Sequence, residues 1–235
     1  MAYILWGFIF GLFIPYIARR IGKLMPATMG YVLLKLFVPS RFGLNKKLEA
    51  NPKYMDLFKR YVMRSIGWGI FTAAASYLFA VDFAADFAWW HIIFVWILLL
   101  LVEIDKRFEL LPDIITWPLL LLGFAYAAQK GPWLATPDIN FLSYAQNSAL
   151  GALMGYIMPV IASMFLVWKY PEAFGGGDIK LLCAIGAWVG MDVIAYIILG
   201  SCVIFGIICL INKKRAGPFG PSIVYAALIL CLLLF

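Results

Sequence analysis

The sequence predicts an all-α polytopic membrane protein with about eight transmembrane segments, two of them short, and with its N-terminus outside. Three observations carry that expectation. The 235 residues are 65% hydrophobic and only 13% charged, far from the usage of soluble globular domains. Apolar runs recur along most of the chain, and several approach the length of a bilayer span. The lysines and arginines gather in alternate connections, as the positive-inside rule requires of a multi-pass protein.

The first segment, about residues 2–18, has no basic stretch before it and is followed at once by Arg19 and Arg20. Those are the flanks of an uncleaved anchor, not of a cleavable signal peptide. Further segments are expected at 66–81, 87–103, 114–129 and 147–168. A shorter apolar piece follows at 179–191, then a span at 193–212 and a last one from about 222 to the C-terminus. The piece at 179–191 would be only about 20 Å long as a helix, against a hydrocarbon core of about 30 Å. Three regions result: an anchor at 1–18, a basic, cysteine-free cytoplasmic segment at 19–65, and a multi-span core at 66–235.

With the N-terminus outside, the cytoplasmic connections are 19–65, 104–113, 169–178 and 213–221. Eighteen of the nineteen Lys and Arg residues lie in or beside them, eleven in 19–65 alone, and only Lys130 falls on the other side. The net charge of +7 therefore reflects topology in an inner membrane and contact with anionic lipid. It is not a nucleic-acid footprint. The long basic segment contains Pro26, Pro39 and Pro52 and a partly apolar stretch at 29–38, where a surface-lying helix is expected. Cys183, Cys202, Cys209 and Cys231 sit inside apolar runs without CxxC spacing, so they read as packing residues. His91 is the only histidine and stands beside Trp89 and Trp90, as in an interfacial aromatic belt. No multi-histidine metal site can be built.

Two places break the alternation of apolar span and polar turn. One is EIDKRFELLPD, which puts Glu103, Asp105, Glu109 and Asp113 within eleven residues. Asp105 falls at or just below headgroup level on a helix end. The other is FGGGDIK, residues 174–180, where Gly175, Gly176 and Gly177 precede Asp178 and an apolar helix follows. Carboxylates at membrane depth are costly and face a wet cavity or a partner. Both aspartates fall on the cytoplasmic side by the charge count. Two adjacent carboxylates share one proton, so one takes a proton from water while the other polarises a carbonyl or protonates a leaving amine. That is aspartic-protease chemistry, and it needs neither metal nor covalent intermediate. The three glycines allow close backbone approach and positive φ, and Pro112 restricts Leu111 before the fourth span. Singly, each motif also fits ordinary interfacial acids and turn chemistry; Glu103, Glu109, Asp113 and Glu172 read mainly that way, with a supporting role open to Asp113.

Together, EIDKRFELLPDIITWPL and FGGGDIKLLCAIGAWVG closely resemble the two signatures of type IV prepilin leader peptidases, the second carrying the GxGD element. The tail KKRAGPFGPSI, with Pro218, Phe219, Gly220 and Pro221, resembles the segment before that family's last span. The resemblance runs from about residue 97 to 235. It implies a membrane aspartyl protease that faces the cytoplasm and removes a short basic leader from prepilins or pilin-like pseudopilins. On this resemblance Asp105 and Asp178 are the catalytic pair. Lys180 matches a recurrent basic residue, and Gly175–Gly177, Pro112 and Asp113 stand in supporting or substrate-binding positions. No metal or cofactor is implied for the peptidase. The acidic cluster at 103–113 would attract a basic leader.

The departure is in segment 19–65. Many bacterial members carry two CxxC pairs there and also N-methylate the new N-terminus with S-adenosylmethionine, whereas this segment has no cysteine. A cysteine zinc site is excluded, and methyl transfer stays open. Two other readings use the same features: a proton-coupled membrane transporter built on the two carboxylates, and a non-catalytic scaffold in a pilus or secretion assembly.

Overall fold

In lipid, a spanning chain satisfies its backbone polar groups internally, so apolar segments of this length fold as helices. A computed structural model of the chain describes residues 2–24, 52–81, 88–130, 144–166, 175–213 and 217–233. Among these, eight helices and no strand are found: α1 Ala2–Leu24, α2 Pro52–Val81, α3 Ala88–Phe108, α4 Asp113–Lys130, α5 Tyr144–Leu166, α6 Gly176–Val189, α7 Met191–Asn212 and α8 Gly220–Leu233. The surface-lying helix expected at 29–38, most of the connection at 130–146, and Glu172 lie outside the described residues. Three helices, Ala2–Leu24, Tyr144–Phe165 and Met191–Asn212, are long and apolar enough to cross a membrane. Tyr196, Leu199, Val203 and Leu210 on α7 stand exposed, as a lipid-facing surface requires.

Two helices outrun their predicted spans. The first continues past Arg19 and Arg20 to Leu24, and the second starts at Pro52, well before residue 66. Proline suits a first helical position, where its missing N–H has no intrahelical partner. The chain divides into two compact units, Met1–Ile104 and Asp105–Phe235.

In the first unit α1 lies along α2. Gly7 and Gly11, one turn apart, let the backbones approach: a Cβ on Gly7 would come within 3.0 Å of Ser76 Cβ, and one on Gly11 within 2.7 Å of Gly69 Cα. Small residues at this spacing are a common way for membrane helices to pack closely. Ser76 Oγ donates to the Thr72 carbonyl at 2.7 Å and accepts from Trp96 Nε1 at 2.8 Å, which ties α3 to α2. Phe10 stacks on Trp96 with ring centroids 4.8 Å apart.

In the second unit α6 is the core. It has 14 residues, and all from Leu181 to Val189 except Cys183 are buried. It packs against α4, α5, α7 and α8. Its shortness thus belongs to a helix enclosed by others and apolar around its circumference. Gly151 and Gly155 form the α5 face against it. A Cβ on Gly151 would strike the Gly186 carbonyl, and one on Gly186 would strike the Gly151 carbonyl. Ser148 Oγ donates to the Ala187 carbonyl at 2.6 Å. From α4, Gly123 leaves room for Trp188, which stacks on Tyr126 at 5.3 Å and donates Nε1–H to the Leu119 carbonyl at 2.8 Å. Gly190, with φ 84°, separates α6 from α7 by one residue in a conformation that favours glycine. Asn147 Oδ1 accepts the Met191 N–H at 2.8 Å and so serves the start of α7.

Gly151→Leu or Gly186→Leu should force α5 off α6 and cost at least about 1–3 kcal/mol. Gly206→Ala, where an added Cβ meets nothing within 4 Å, should be neutral or stabilising by up to about 1 kcal/mol. Melting temperature in mild detergent distinguishes the two sites.

Candidate active site

Asp105 lies near the end of α3, beyond the apolar run 87–103, and Asp178 lies just before the apolar run 179–191. Asp178 is the third residue of α6. Its own N–H bonds the Gly175 carbonyl at 3.0 Å, and a Cβ on Gly175 would stand 3.1 Å from Asp178 Oδ2. The carboxyl thus folds back over the residue that opens the helix, as an acid at this position does in a capping box. The glycines do not use positive φ. Gly175 is extended at φ −71°, ψ 142°, and Gly176 and Gly177 are already helical. Their use here is steric. A Cβ on Gly177 would stand 2.9 Å from Leu111 Cβ, whereas one on Gly176 would meet nothing within 4 Å.

Asp105 is 4% exposed, and its Oδ2 accepts no hydrogen bond among the described residues. Gly220, at the start of α8, backs onto it: a Cβ there would stand 2.6 Å from Oδ2 and 3.1 Å from Cγ. Lys106 Nζ donates to Tyr225 Oη at 2.6 Å and so holds α8 to the end of α3. Leu111 closes the arrangement from above. It is buried, presses on Gly177, and would lie 3.4 Å from a Gly220 Cβ. Asp105, Asp178, Gly177 and Gly220 are therefore gathered around one leucine.

The connection from α3 to α4 is short and is bonded at both ends. The Glu109 N–H donates to the Asp105 carbonyl at 2.9 Å, and Glu109 sits at φ 50°. The Pro112 carbonyl accepts the Ile115 and Thr116 N–H groups at 3.0 and 3.2 Å and so starts α4. Asp113 then takes Lys180 Nζ on both oxygens, at 2.7 and 2.8 Å.

The acids at 103–113 do not act as one cluster. Glu103, read from sequence as an interfacial acid, is fully buried; it accepts Arg64 Nη2 at 2.9 Å and Trp68 Nε1 at 3.0 Å. Asp113 is neutralised by Lys180 and Asp105 is enclosed, so among the described residues Glu109 alone is an exposed acid of this group without an ion pair. Sequence reading missed the site roles of Leu111 and Gly220. Gly220 stood in a quoted motif, but nothing along the chain tied it to Asp105. Among the described residues no three His, Cys, Asp or Glu side chains converge to hold a metal.

Burial raises the Asp105 carboxyl above its ordinary 3.8, the nearby Asp178 charge raises it further, and the Gly220 N–H works the other way. Burial also raises Asp178, opposed by the Gly175 N–H. The charge of Asp178 is thus felt at Asp105, and burial of both groups disfavours ionising the two together.

A family model described as the type IV leader peptidase family matches residues 92–211. This chain belongs to the type IV leader peptidase family. The match takes in both aspartates and ends before Gly220. The prepilin leader peptidase/N-methyltransferase of Dichelobacter nodosus is 31% identical over 167 residues, 67% of this chain and 53% of the relative. Those of the same name from Vibrio cholerae and Xanthomonas campestris are 30% and 36% identical, over 57% and 52% of this chain and 51% and 42% of theirs. The chain spans about half the length of the curated relatives it matches. No solved structure matches it.

The upward shifts fix a sign for stability. The neutral carboxyls favour the fold, and that contribution is lost as pH rises through their raised values. Asp105→Asn, neutral throughout, should therefore melt above the parent at about pH 8, with the difference shrinking towards zero at about pH 4. Thermal unfolding at the two pH values measures it.

Proposed function

We propose that this chain is a membrane aspartic endopeptidase that removes the short basic leader from prepilins or pseudopilins. The observation that carries the reading is the pairing of Asp105 and Asp178 within one helical unit, both carboxyls raised and the Asp178 charge felt at Asp105, in a member of this peptidase family. The curated relatives share the peptidase name.

In the proposed reaction the pair holds one proton. The ionised carboxylate takes a proton from a water as that water attacks the scissile carbonyl carbon. The protonated partner donates to the carbonyl oxygen. Collapse of the tetrahedral intermediate breaks the C–N bond as a proton from the pair passes to the leaving amine and one hydroxyl proton of the intermediate returns to the pair, which restores its single proton. Gly220 supplies close backbone at Asp105, and Gly177 lets Leu111 sit against the start of α6. The substrate's apolar helix would lie in the bilayer with its leader crossing the interface.

The proposal includes an inner-membrane chain of about eight segments, with the site on the cytoplasmic side. The charge count of the connections supports that orientation. Peptide hydrolysis here calls for no cofactor. The proposal covers the peptidase half of the relatives' names; a methyl transfer would need S-adenosylmethionine.

Asp105→Asn and Asp178→Asn should each insert normally yet lower leader removal from a co-expressed prepilin on the order of 100-fold or more, read as a gel mobility shift. Normal processing by either variant overturns the pair. The rate of the parent should follow a bell in pH, with two apparent values belonging to the pair. Gly220→Ala, whose methyl would crowd Asp105 Oδ2, should slow cleavage roughly 10–100-fold at unchanged membrane yield.

A further inference from the structure

Asp178 rides on the first turn of α6, and Asp105 on the last turns of α3. Their separation is set by what joins those two ends. From Asp105 the chain makes one bonded turn to Glu109, places Leu111 against Gly177 and Gly220, and starts α4 at Asp113. Asp113 then grips Lys180 with both carboxylate oxygens. Lys180 is two residues past Asp178, so it projects from a different side of the helix. It fixes the rotation and height of the first turn without pointing where Asp178 points. The rest of α6 is held by its apolar packing, but that packing begins only at Leu181. The turn that carries Asp178 has Leu111 on one side and the Asp113 pair on another.

We propose that Asp113 and Lys180 are positioning residues for the Asp105–Asp178 pair: their two-pronged ion pair pins the start of α6 to the start of α4 and so sets the spacing of the two carboxyls. The proposal rests on the peptidase reading. Both partners are nearly half exposed, at 43% and 48%, and such pairs add little to folding. Their loss should therefore leave the protein folded and act on geometry alone.

The test is a cycle of Lys180→Gln, Asp113→Asn and the double variant, assayed on a prepilin in membranes. Each single change should lower kcat at least tenfold with KM within twofold. The double should be no slower than the singles, because removing either partner already releases the turn. Lys180→Arg, which keeps a two-pronged pair, should retain most of the rate. Parent-like single variants, multiplicative losses in the double, or a rise in KM in place of the fall in kcat would each overturn the proposal. A second arm does not depend on activity. With Cys183, Cys202, Cys209 and Cys231 replaced by alanine, Asp105→Cys and Asp178→Cys should join through a short bis-thiol cross-linker, and Lys180→Gln should cut the yield severalfold. An unchanged yield overturns the positioning role even if the chain cleaves no prepilin. Failure of the parent to cleave, with the yield falling as expected, would instead overturn the peptidase reading.

Discussion

Two carboxyl groups near each other, Asp105 buried and Asp178 half-buried, are the constraint around which the second unit is arranged. Their mutual repulsion and lost hydration oppose the fold once both are ionised, and no cation sits on either among the described residues. A chain that needed only stability would place a lysine or an amide there. Here the cations stand one step away, Lys106 on Tyr225 and Lys180 on Asp113. Each organises a neighbouring helix end and leaves the aspartates to each other. Perturbed acids left to each other, with the cost offset by packing elsewhere, are what the proposed active site requires.

The offset lies in α6. A short helix buried on every side, locked to α5 by facing glycines and to α4 by Trp188, can carry an unfavourable charge on its first turn without unravelling. Its length follows from that task. A longer helix would carry its first turn beyond the neighbours that enclose it. Backbone donors at Gly220 and Gly175 work against the upward shifts of Asp105 and Asp178 and so favour the charged state in part.

Much of this was legible along the chain. Apolar runs placed every described helix, and the offsets are explicable: α2 starts early because Pro52 tolerates a helix start, and α1 runs on because Arg19 and Arg20 extend from a helix as easily as from a loop. The two aspartates stood out because each breaks the alternation of apolar span and polar turn at a depth where a carboxylate is costly. GxxxG spacings at Gly7–Gly11 and Gly151–Gly155 were equally readable as helix-packing signals and were passed over. Leu111 and Gly220 were not readable, since one is a common apolar residue and the other a common turn residue. Their meaning comes only from lying 66 and 43 positions from Gly177 while touching the same space. Glu103 misled because burial of an acid depends on its partners, and Arg64 and Trp68 lie a whole helix away.

The same reasoning says why three glycines before an aspartate are not three equal requirements. Gly175 is confined by the carboxyl that folds back over it, Gly177 by Leu111, and Gly176 by nothing within reach. A motif read as a string treats them alike, whereas the geometry separates a residue that sets the carboxyl's direction from one that sets the helix's depth. Only Gly176 is free to accept a side chain at no steric cost, and there the helix itself would gain from alanine. Substitution at Gly175 or Gly177 would instead have to displace Asp178 or Leu111.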